Sequence, residues 1–278
     1  MTAPGTIEIP VLYRGTGYAV IDKPSGLAVV AERPRPGVTP LLDAIAGTIG
    51  SPEILVVHRL DRETSGALVV ATEPEAHRAL SMQFARHEVE KTYLAIVRGE
   101  VYPDDGLVQA PIERAPRGGS LMRVAIEPAD GPRRRTGTRR RQAATTQYLV
   151  RERFRGLTLL EVSPRTGRQH QIRVHLRHAG YPLAVDPLYG AAALYLSEFK
   201  RGYKPGRSAA PWETGEAHGG RAEAPLLARL SLHAWRLRLR DPFSGAEVRV
   251  EAPLPKDFAR ALELLRKYAA RERRRRNT

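Results

Sequence analysis

The alternation of apolar and polar residues predicts a chain rich in β-strands. The run GALVVAT over 66–72 is apolar throughout and predicts a buried strand. A single strand, a strand pair and two hairpins complete the prediction: 90–98, 145–152 with 157–163, 10–21, and 230–239 with 246–251.

Helical periodicity and capping residues predict four helices between these strands. They are a helix opened by Thr39 as N-cap and Pro40, a helix from Pro74 to about Val89, a helix over 167–179 closed by Gly180, and a last helix from about Lys256. Strands and helices do not alternate regularly, which favours an α+β fold with a mixed sheet over a doubly wound parallel one.

The net charge of the chain predicts a polyanionic partner. The chain has 45 Lys+Arg against 30 Asp+Glu, a formal net charge of +15. Much of the excess lies in two arginine runs, 131–141 and 271–276, which we predict to be mobile segments that contact phosphate. Nucleic acid is the favoured partner. The alternative is that abundant arginine reflects only the base composition of the genome.

Several classes of protein are excluded or disfavoured by what the sequence lacks. It has no cysteine, which excludes disulfides, thiolate catalysis and cysteine-ligated metal sites. It shows no signal peptide and no apolar run long enough to cross a membrane. We therefore expect a cytoplasmic protein without membrane contact.

The segment 58–66 (HRLDRETSG) is the first candidate for chemistry. Asp61 stands between Arg59 and Arg62, and neighbouring cations favour its ionised form. An ionised carboxylate can act as a nucleophile or as a base. The alternative is a surface ion pair that precedes a strand.

The second candidate is the segment 165–175, in which Arg168, Gln169 and His170 are placed at a predicted helix start that suits an anionic backbone. Arg173 lies further along and could reach Asp61 across the core. The alternative is an amphipathic helix with a solvated basic face.

The third candidate is the predicted strand 90–98, where Lys91 and Tyr93 share one face. A tyrosine in a nucleic-acid site can stack on a base, whereas the alternative is a core tyrosine. Histidines 170, 175 and 178 lack the spacing of zinc ligands, so no metal site is expected.

Taken together, these segments resemble the RluA-type family of pseudouridine synthases. HRLDRETSGALVVAT and GRQHQIRVHLRHAGYPLAVDPLYG resemble its two main signatures, and DKPSGLAV and KTYLAIVRG are weaker matches in the same order. The resemblance implies a pseudouridine-synthase fold: a long, bent, mixed and mostly antiparallel sheet, flanked by helices and loops, with a central RNA-binding cleft. A single catalytic domain would span 1–270.

The resemblance also implies a reaction, the isomerisation of uridine to pseudouridine in ribosomal or transfer RNA, without cofactor or metal. Asp61 matches the essential aspartate, Arg173 the arginine that pairs with it, and Tyr93 the tyrosine that packs on the target base. Arg59 matches a position implicated in opening the RNA stack or in holding the surroundings of the flipped base. The remaining expected RNA contacts are Arg62, Lys91, Arg168, Gln169 and His170.

The chain departs from the family pattern in three respects. We expect no S4-like domain at the N-terminus, loop insertions at about 115–142 and 198–229, and a disordered basic tail at 271–278. These departures leave the RNA substrate open. We expect a monomer. A catalytically silent RNA-binding or ribosome-assembly protein is the main alternative, and a metal-dependent nuclease lacks the necessary carboxylate cluster.

Overall fold

The computed structural model describes residues 9–29, 41–116, 121–125, 141–203 and 223–270. Within these residues the strands are β1 Val11–Gly15, β2 Tyr18–Lys23, β3 Leu55–Val56, β4 Ser65–Ala71, β5 Glu90–Arg98, β6 Asp105–Gln109, β7 Ile112–Arg114, β8 Met122–Val124, β9 Thr145–Phe154, β10 Leu157–Pro164, β11 Leu232–Arg240 and β12 Glu247–Glu251. The α-helices are α1 Leu41–Ile49, α2 Pro74–Ala85, α3 Gln171–His178 and α4 Lys256–Tyr268.

One large sheet organises the described chain. Ten strands form it in the order β1-β2-β4-β11-β5-β10-β9-β6, with β12 paired to β11 and β3 to β4, while β7 and β8 form a separate hairpin. Among the residues that the structure describes, the paired strands are antiparallel except for β4 with β11. The predicted α+β fold with a mixed, mostly antiparallel sheet is confirmed.

The parallel contact between β4 and β11 depends on Gly66. Its φ is +112°, and a Cβ built there would lie 2.1 Å from the carbonyl oxygen of Ala234. Any larger residue would force β11 away from β4. Gly66 therefore lets two backbones meet directly behind the loop that carries Asp61.

Alternation along the central strands directs two helices to opposite faces of the sheet. Leu94 and Ile96 of β5 pack in one core cluster with Phe258 of α4. Val97, the next residue of β5, packs in another cluster with Ile172 of α3. The position of α3 is therefore fixed by apolar packing as well as by its polar contacts.

The start of α3 differs from the prediction. The helix begins at Gln171 and not at 167, because the backbone turns at His170, whose φ is 55°. The Gln171 side chain stabilises this turn by accepting hydrogen bonds from the Thr166 hydroxyl and the Arg168 amide. The predicted end is confirmed: Gly180 has a φ of +86° and closes a Schellman motif. The end of α2, by contrast, was predicted too late: the helix ends at Ala85 and not at about Val89, because the backbone turns at His87, whose φ is 60°.

Both predicted loop insertions contain ordered elements. Strand β8 lies inside 115–142, where it pairs with β7. Inside 198–229, Leu227 is buried and pairs with Leu194. The Thr39 cap, most of the arginine run 131–141 and the tail 271–278 lie outside the described residues. None of the helices in the described part of the chain has the length and hydropathy to span a bilayer.

Candidate active site

Asp61 lies in a tight loop that leads into β4. The Thr64 amide donates to the Asp61 carbonyl over 3.0 Å, and Thr64 and Ser65 are both buried. The Asp61 side chain keeps 24% of its surface exposed. The loop therefore holds the carboxylate at the end of a buried strand while leaving it open to a substrate.

His58, at the start of the same segment, fixes the loop to β4. Its Nε2 accepts a hydrogen bond from the Val69 amide over 3.1 Å, and its ring stacks on Phe84. Burial, with a smaller contribution from the Lys91 charge, lowers the pKa of His58 to about 3. His58 is therefore a neutral, structural residue at neutral pH.

Arg173 makes the polar contact with the Asp61 carboxylate. Its Nη1 lies 3.2 Å from Asp61 Oδ2, and only 6% of the arginine side chain is exposed. The described residues thus join two of the three predicted segments, the loop before β4 and helix α3. The basic stripe of α3 is not uniformly solvated, because Arg173 is buried whereas Arg177 is exposed.

Asp186 is a site residue that the sequence prediction did not assign. It binds Arg173 through two hydrogen bonds, Nε to Oδ2 at 2.9 Å and Nη2 to Oδ1 at 2.6 Å. Asp186 Oδ1 also accepts from the amides of Leu188 and Tyr189. The signal for it was the DPLYG sequence, in which an Asp before Pro is typical of a turn that begins with a side-chain hydrogen bond.

The charge of Arg173 is well supported by this environment. Burial lowers the pKa of the Arg173 guanidinium. The hydrogen bonds and charges of Asp186, followed by those of Asp61, raise it by more, so the pKa of Arg173 lies above its ordinary value. The Tyr189 ring adds a cation–π contact, with its centroid 4.9 Å from the guanidinium carbon. The site therefore contains a fixed cation that faces one buried and one open carboxylate.

Tyr93 lies in β5, opposite Val162 of β10 and Ala234 of β11. Its ring is partly buried between two apolar clusters. Burial, followed by the nearby Asp61 charge, raises the pKa of the Tyr93 hydroxyl well above its ordinary value. A neutral aromatic ring therefore lies within electrostatic reach of Asp61.

Lys23 is a second residue that the prediction did not assign, although the DKPSGLAV match contains it. Its side chain is fully buried, and its Nζ donates to the carbonyls of Pro24, Leu27 and Arg62 at 2.8–3.0 Å. Burial lowers the pKa of Lys23 to about 7, partly offset by Glu63 and Asp61. These bonds join the turn after β2 to the Asp61 loop.

The other predicted residues near this loop have different surroundings. Arg59 is exposed and makes no hydrogen bond or ion pair with any residue that the structure describes. Arg62 donates from Nε to the Gly26 carbonyl. The Lys91 ammonium lies over the Phe84 ring, and burial lowers its pKa. Arg62 and Lys91 thus have partners within the protein.

The predicted residues before α3 form its entry turn. Arg168 donates from Nε to the Ala143 carbonyl, and Gln169 is partly buried. His170 Nδ1 lies 2.7 Å from the Tyr189 hydroxyl. Through Tyr189, this turn contacts the residues that hold Arg173.

The histidines of α3 do not form a metal site within the described residues. His175 is buried and bonds to the Thr146 hydroxyl and the Ala110 carbonyl, and burial lowers its pKa. No group of three or more His, Cys, Asp or Glu there is arranged to hold a metal ion. That the reaction uses no metal remains a prediction.

Comparison with known proteins gives a consistent result. The family model described as RNA pseudouridylate synthase matches residues 17–178. The ribosomal large subunit pseudouridine synthase D of Xanthomonas campestris pv. campestris is 37% identical over 272 residues, which cover 97% of this chain and 73% of that protein. Synthase C of Salmonella typhi is 36% identical, with 93% and 70% covered.

A solved structure supports the same relationship. Human RNA pseudouridylate synthase domain containing 4 superimposes with a TM-score of 0.64 at 27% identity, and the match covers 92% of each chain. A second solved structure, that of human RNA pseudouridylate synthase domain containing 1, has a TM-score of 0.63 at 22% identity and supports the fold.

Proposed function

Since this chain belongs to the RluA-type family of RNA pseudouridine synthases, we propose that Asp61 is the residue that acts on the target uridine. Family membership makes the chain an enzyme that forms pseudouridine in RNA, which sets aside the alternatives of a silent RNA-binding protein and a nuclease.

The observation that carries this proposal is the ion pair between Asp61 and Arg173. At 3.2 Å the guanidinium stabilises the carboxylate, and the 24% exposure of Asp61 leaves room for a substrate. Arg173 cannot rotate freely toward the solvent because Asp186 holds two of its nitrogens. Asp61 therefore meets the need of a reactive carboxylate, which is to be charged, positioned and accessible.

The reaction rearranges the atoms of uridine without adding or removing any. The bond from N1 of uracil to C1′ of the ribose breaks, the base turns, and C5 bonds to C1′ while the C5 proton moves to the released nitrogen. Asp61 would either attack C1′ and later leave, or remove a sugar proton to give a glycal. Both routes need the charged carboxylate.

Tyr93 would hold the uracil during its rotation. A nucleotide must leave its stack to be modified, which costs a few kcal/mol. Stacking of the base on an aromatic ring offsets this cost by roughly 1–3 kcal/mol. The partly buried ring of Tyr93 suits this role because it is neutral: burial, followed by the nearby Asp61 charge, raises the pKa of its hydroxyl.

Arginines and polar groups around the site would contact the RNA backbone. Arg59 is the strongest candidate near Asp61 because it is exposed and free of partners among the described residues. Arg168, Gln169 and His170 lie at the entry to α3. Arg62 and Lys91, also predicted, already have protein partners and are weaker candidates.

We propose RNA of the large ribosomal subunit as the substrate, because the relatives at 36–37% identity carry that substrate in their names. The test compares pseudouridine maps of ribosomal and transfer RNA from a deletion strain and its parent. Loss of a site in large-subunit RNA, restored by the wild-type gene, is expected. Loss confined to transfer RNA would contradict the proposal. The monomeric state and the cytoplasmic location remain predictions.

The role of Asp61 is tested by Asp61→Asn, which removes the charge at nearly constant shape. We expect pseudouridine formation to fall by roughly 10³-fold or more. Thermal melting controls for folding, and Glu63→Gln removes a neighbouring charge as a matched control. A folded Asp61→Asn variant with wild-type turnover would overturn the assignment.

A further inference from the structure

We infer that the β7–β8 hairpin binds backbone phosphates of the substrate RNA through an arginine clamp formed by Arg123, Arg141 and Glu113. This inference rests on the proposed function, because it assumes that the anion is the RNA on which the enzyme acts. It adds a binding surface away from Asp61 and Tyr93.

The clamp consists of two guanidiniums on one buried carboxylate. Arg123 donates from Nε and Nη2 to Glu113 Oε1 at 2.9 and 2.6 Å, and Arg141 Nε lies 3.6 Å from Glu113 Oε2. The Glu113 side chain is 7% exposed, whereas those of Arg123 and Arg141 are 49% and 45% exposed. The carboxylate is therefore below the surface, and the two cations face the solvent.

The hairpin and its neighbouring segment are basic. The described segments 112–114, 122–124 and 141–145 contain three arginines, the third being Arg114, and Glu113 is their one acidic residue. Arg168 of the entry turn joins them by donating to the carbonyl of Ala143. A guanidinium matches a phosphate with two parallel N–H donors, so a fixed pair of them suits an RNA backbone.

The hairpin is also connected to the active site. Met122 of β8 packs with Val174 of α3 in a small core cluster. The Met122 amide donates to the Tyr189 hydroxyl over 2.8 Å, and the Tyr189 ring lies against Arg173. An RNA strand held by the clamp would therefore lie on a surface that packs against the helix carrying Arg173. This connection favours the substrate RNA over an unrelated acidic protein.

The test removes the clamp without leaving a buried charge. The triple variant Glu113→Gln, Arg123→Gln, Arg141→Gln is compared with Glu247→Gln, Arg238→Gln, Arg249→Gln. The control has the same composition change, because Glu247 pairs with Arg238 and Arg249 at 3.1 and 2.5 Å, and all three side chains are exposed on the β11–β12 hairpin. Binding of a fluorescein-labelled RNA stem–loop is measured over a range of salt concentrations.

We expect the clamp variant to bind the RNA about tenfold more weakly at 0.15 M salt and to lose about 1.4–1.8 from the slope of log K against log salt concentration, which corresponds to two phosphates. The control should keep the wild-type slope. Equal slopes in the two variants would overturn the inference, as would clamp-dependent binding of a labelled poly-glutamate peptide but not of the RNA.

Single variants cover the case in which the triple variant does not fold. Arg141→Gln leaves Glu113 paired with Arg123 and should lose about half of the slope change. Glu113→Gln adds net positive charge, yet should weaken binding because the guanidiniums lose their support; tighter binding would contradict the clamp. Dependence of pseudouridine formation on Asp61 is measured separately, so failure of the clamp leaves the proposed function standing.

Discussion

Arg173 is bound more closely by Asp186 than by Asp61. Two hydrogen bonds of 2.9 and 2.6 Å join it to Asp186, against one of 3.2 Å to Asp61. Asp186 is 2% exposed and receives two backbone amides, so its position is set by the turn after α3. The buried carboxylate orients the guanidinium, and the third nitrogen is thereby presented to the open carboxylate.

Asp186→Asn should therefore impair both folding and turnover. Breaking a buried ion pair costs about 3–5 kcal/mol of unfolding free energy, and misplacement of a catalytic group by about 1 Å can cost roughly 10²-fold in rate. The measurements are urea unfolding and kcat on the folded fraction. Asp257→Asn is the control, because it breaks the two-point Arg229–Asp257 contact of 2.7 and 2.9 Å and should lower stability alone. Wild-type kcat in folded Asp186→Asn would contradict the positioning role.

Replacement of Arg173 by lysine separates charge from geometry. Lysine retains the cation but cannot bind Asp186 at two points while reaching Asp61. We expect kcat to decrease in the order wild type, Arg173→Lys, Arg173→Met, with the methionine variant also losing stability because it leaves Asp186 buried and unpaired. Pseudouridine formation by single-turnover assay gives the order. Equal kcat values for Arg173→Lys and Arg173→Met would show that the positive charge at position 173 does not contribute to turnover.

The sequence pattern was sufficient to predict most strands because each central strand has its own apolar signature. The 90–98 prediction coincides with β5, and the hairpin prediction at 230–239 and 246–251 lies within two residues of β11 and β12. The start of α3 was predicted too early, because the side chain of Gln171 stabilises a turn through contacts with Thr166 and Arg168. Such contacts have no periodic signal.

The site was predicted only in part for a related reason. Asp61 and Arg173 stand out because their surroundings in sequence are charged and polar. Asp186 is held by Arg173, 13 residues earlier in the chain, and Lys23 by backbone carbonyls, and spacing alone does not distinguish either residue from a surface residue. Glu113 was not predicted for the same reason, because its burial depends on the packing of the β7–β8 hairpin against α3.

Tyr93 is predicted to act through its ring. Tyr93→Phe keeps an aromatic surface, whereas Tyr93→Leu removes it and should raise KM or lower kcat/KM by about 5- to 150-fold, which corresponds to roughly 1–3 kcal/mol of stacking. Steady-state kinetics on the RNA substrate distinguishes the two variants. Tyr148→Leu, at a buried tyrosine of β9, controls for loss of core packing. An inactive but folded Tyr93→Phe would assign the essential function to the hydroxyl instead.

Acid should destabilise the protein through two neutral histidines, the partly buried His58 and the fully buried His233. Burial lowers the pKa of His58 to about 3 and that of His233 to about 4, whereas both return to about 6.5 on unfolding. Between pH 6.5 and about 4 the unfolded state binds protons that the native state does not, so the unfolding free energy falls as pH falls. Each histidine contributes up to about 1.4 kcal/mol per pH unit in this window.

Urea unfolding at pH 7, 6 and 5 measures this loss of stability. His58→Gln can still accept the hydrogen bond from Val69 but does not titrate, so its stability should depend less steeply on pH than that of the wild type. His178→Gln, at an exposed position of α3, should leave the wild-type dependence unchanged. A His58→Gln variant with the full wild-type dependence would show that His58 takes up its proton over the same pH range in the folded and the unfolded protein.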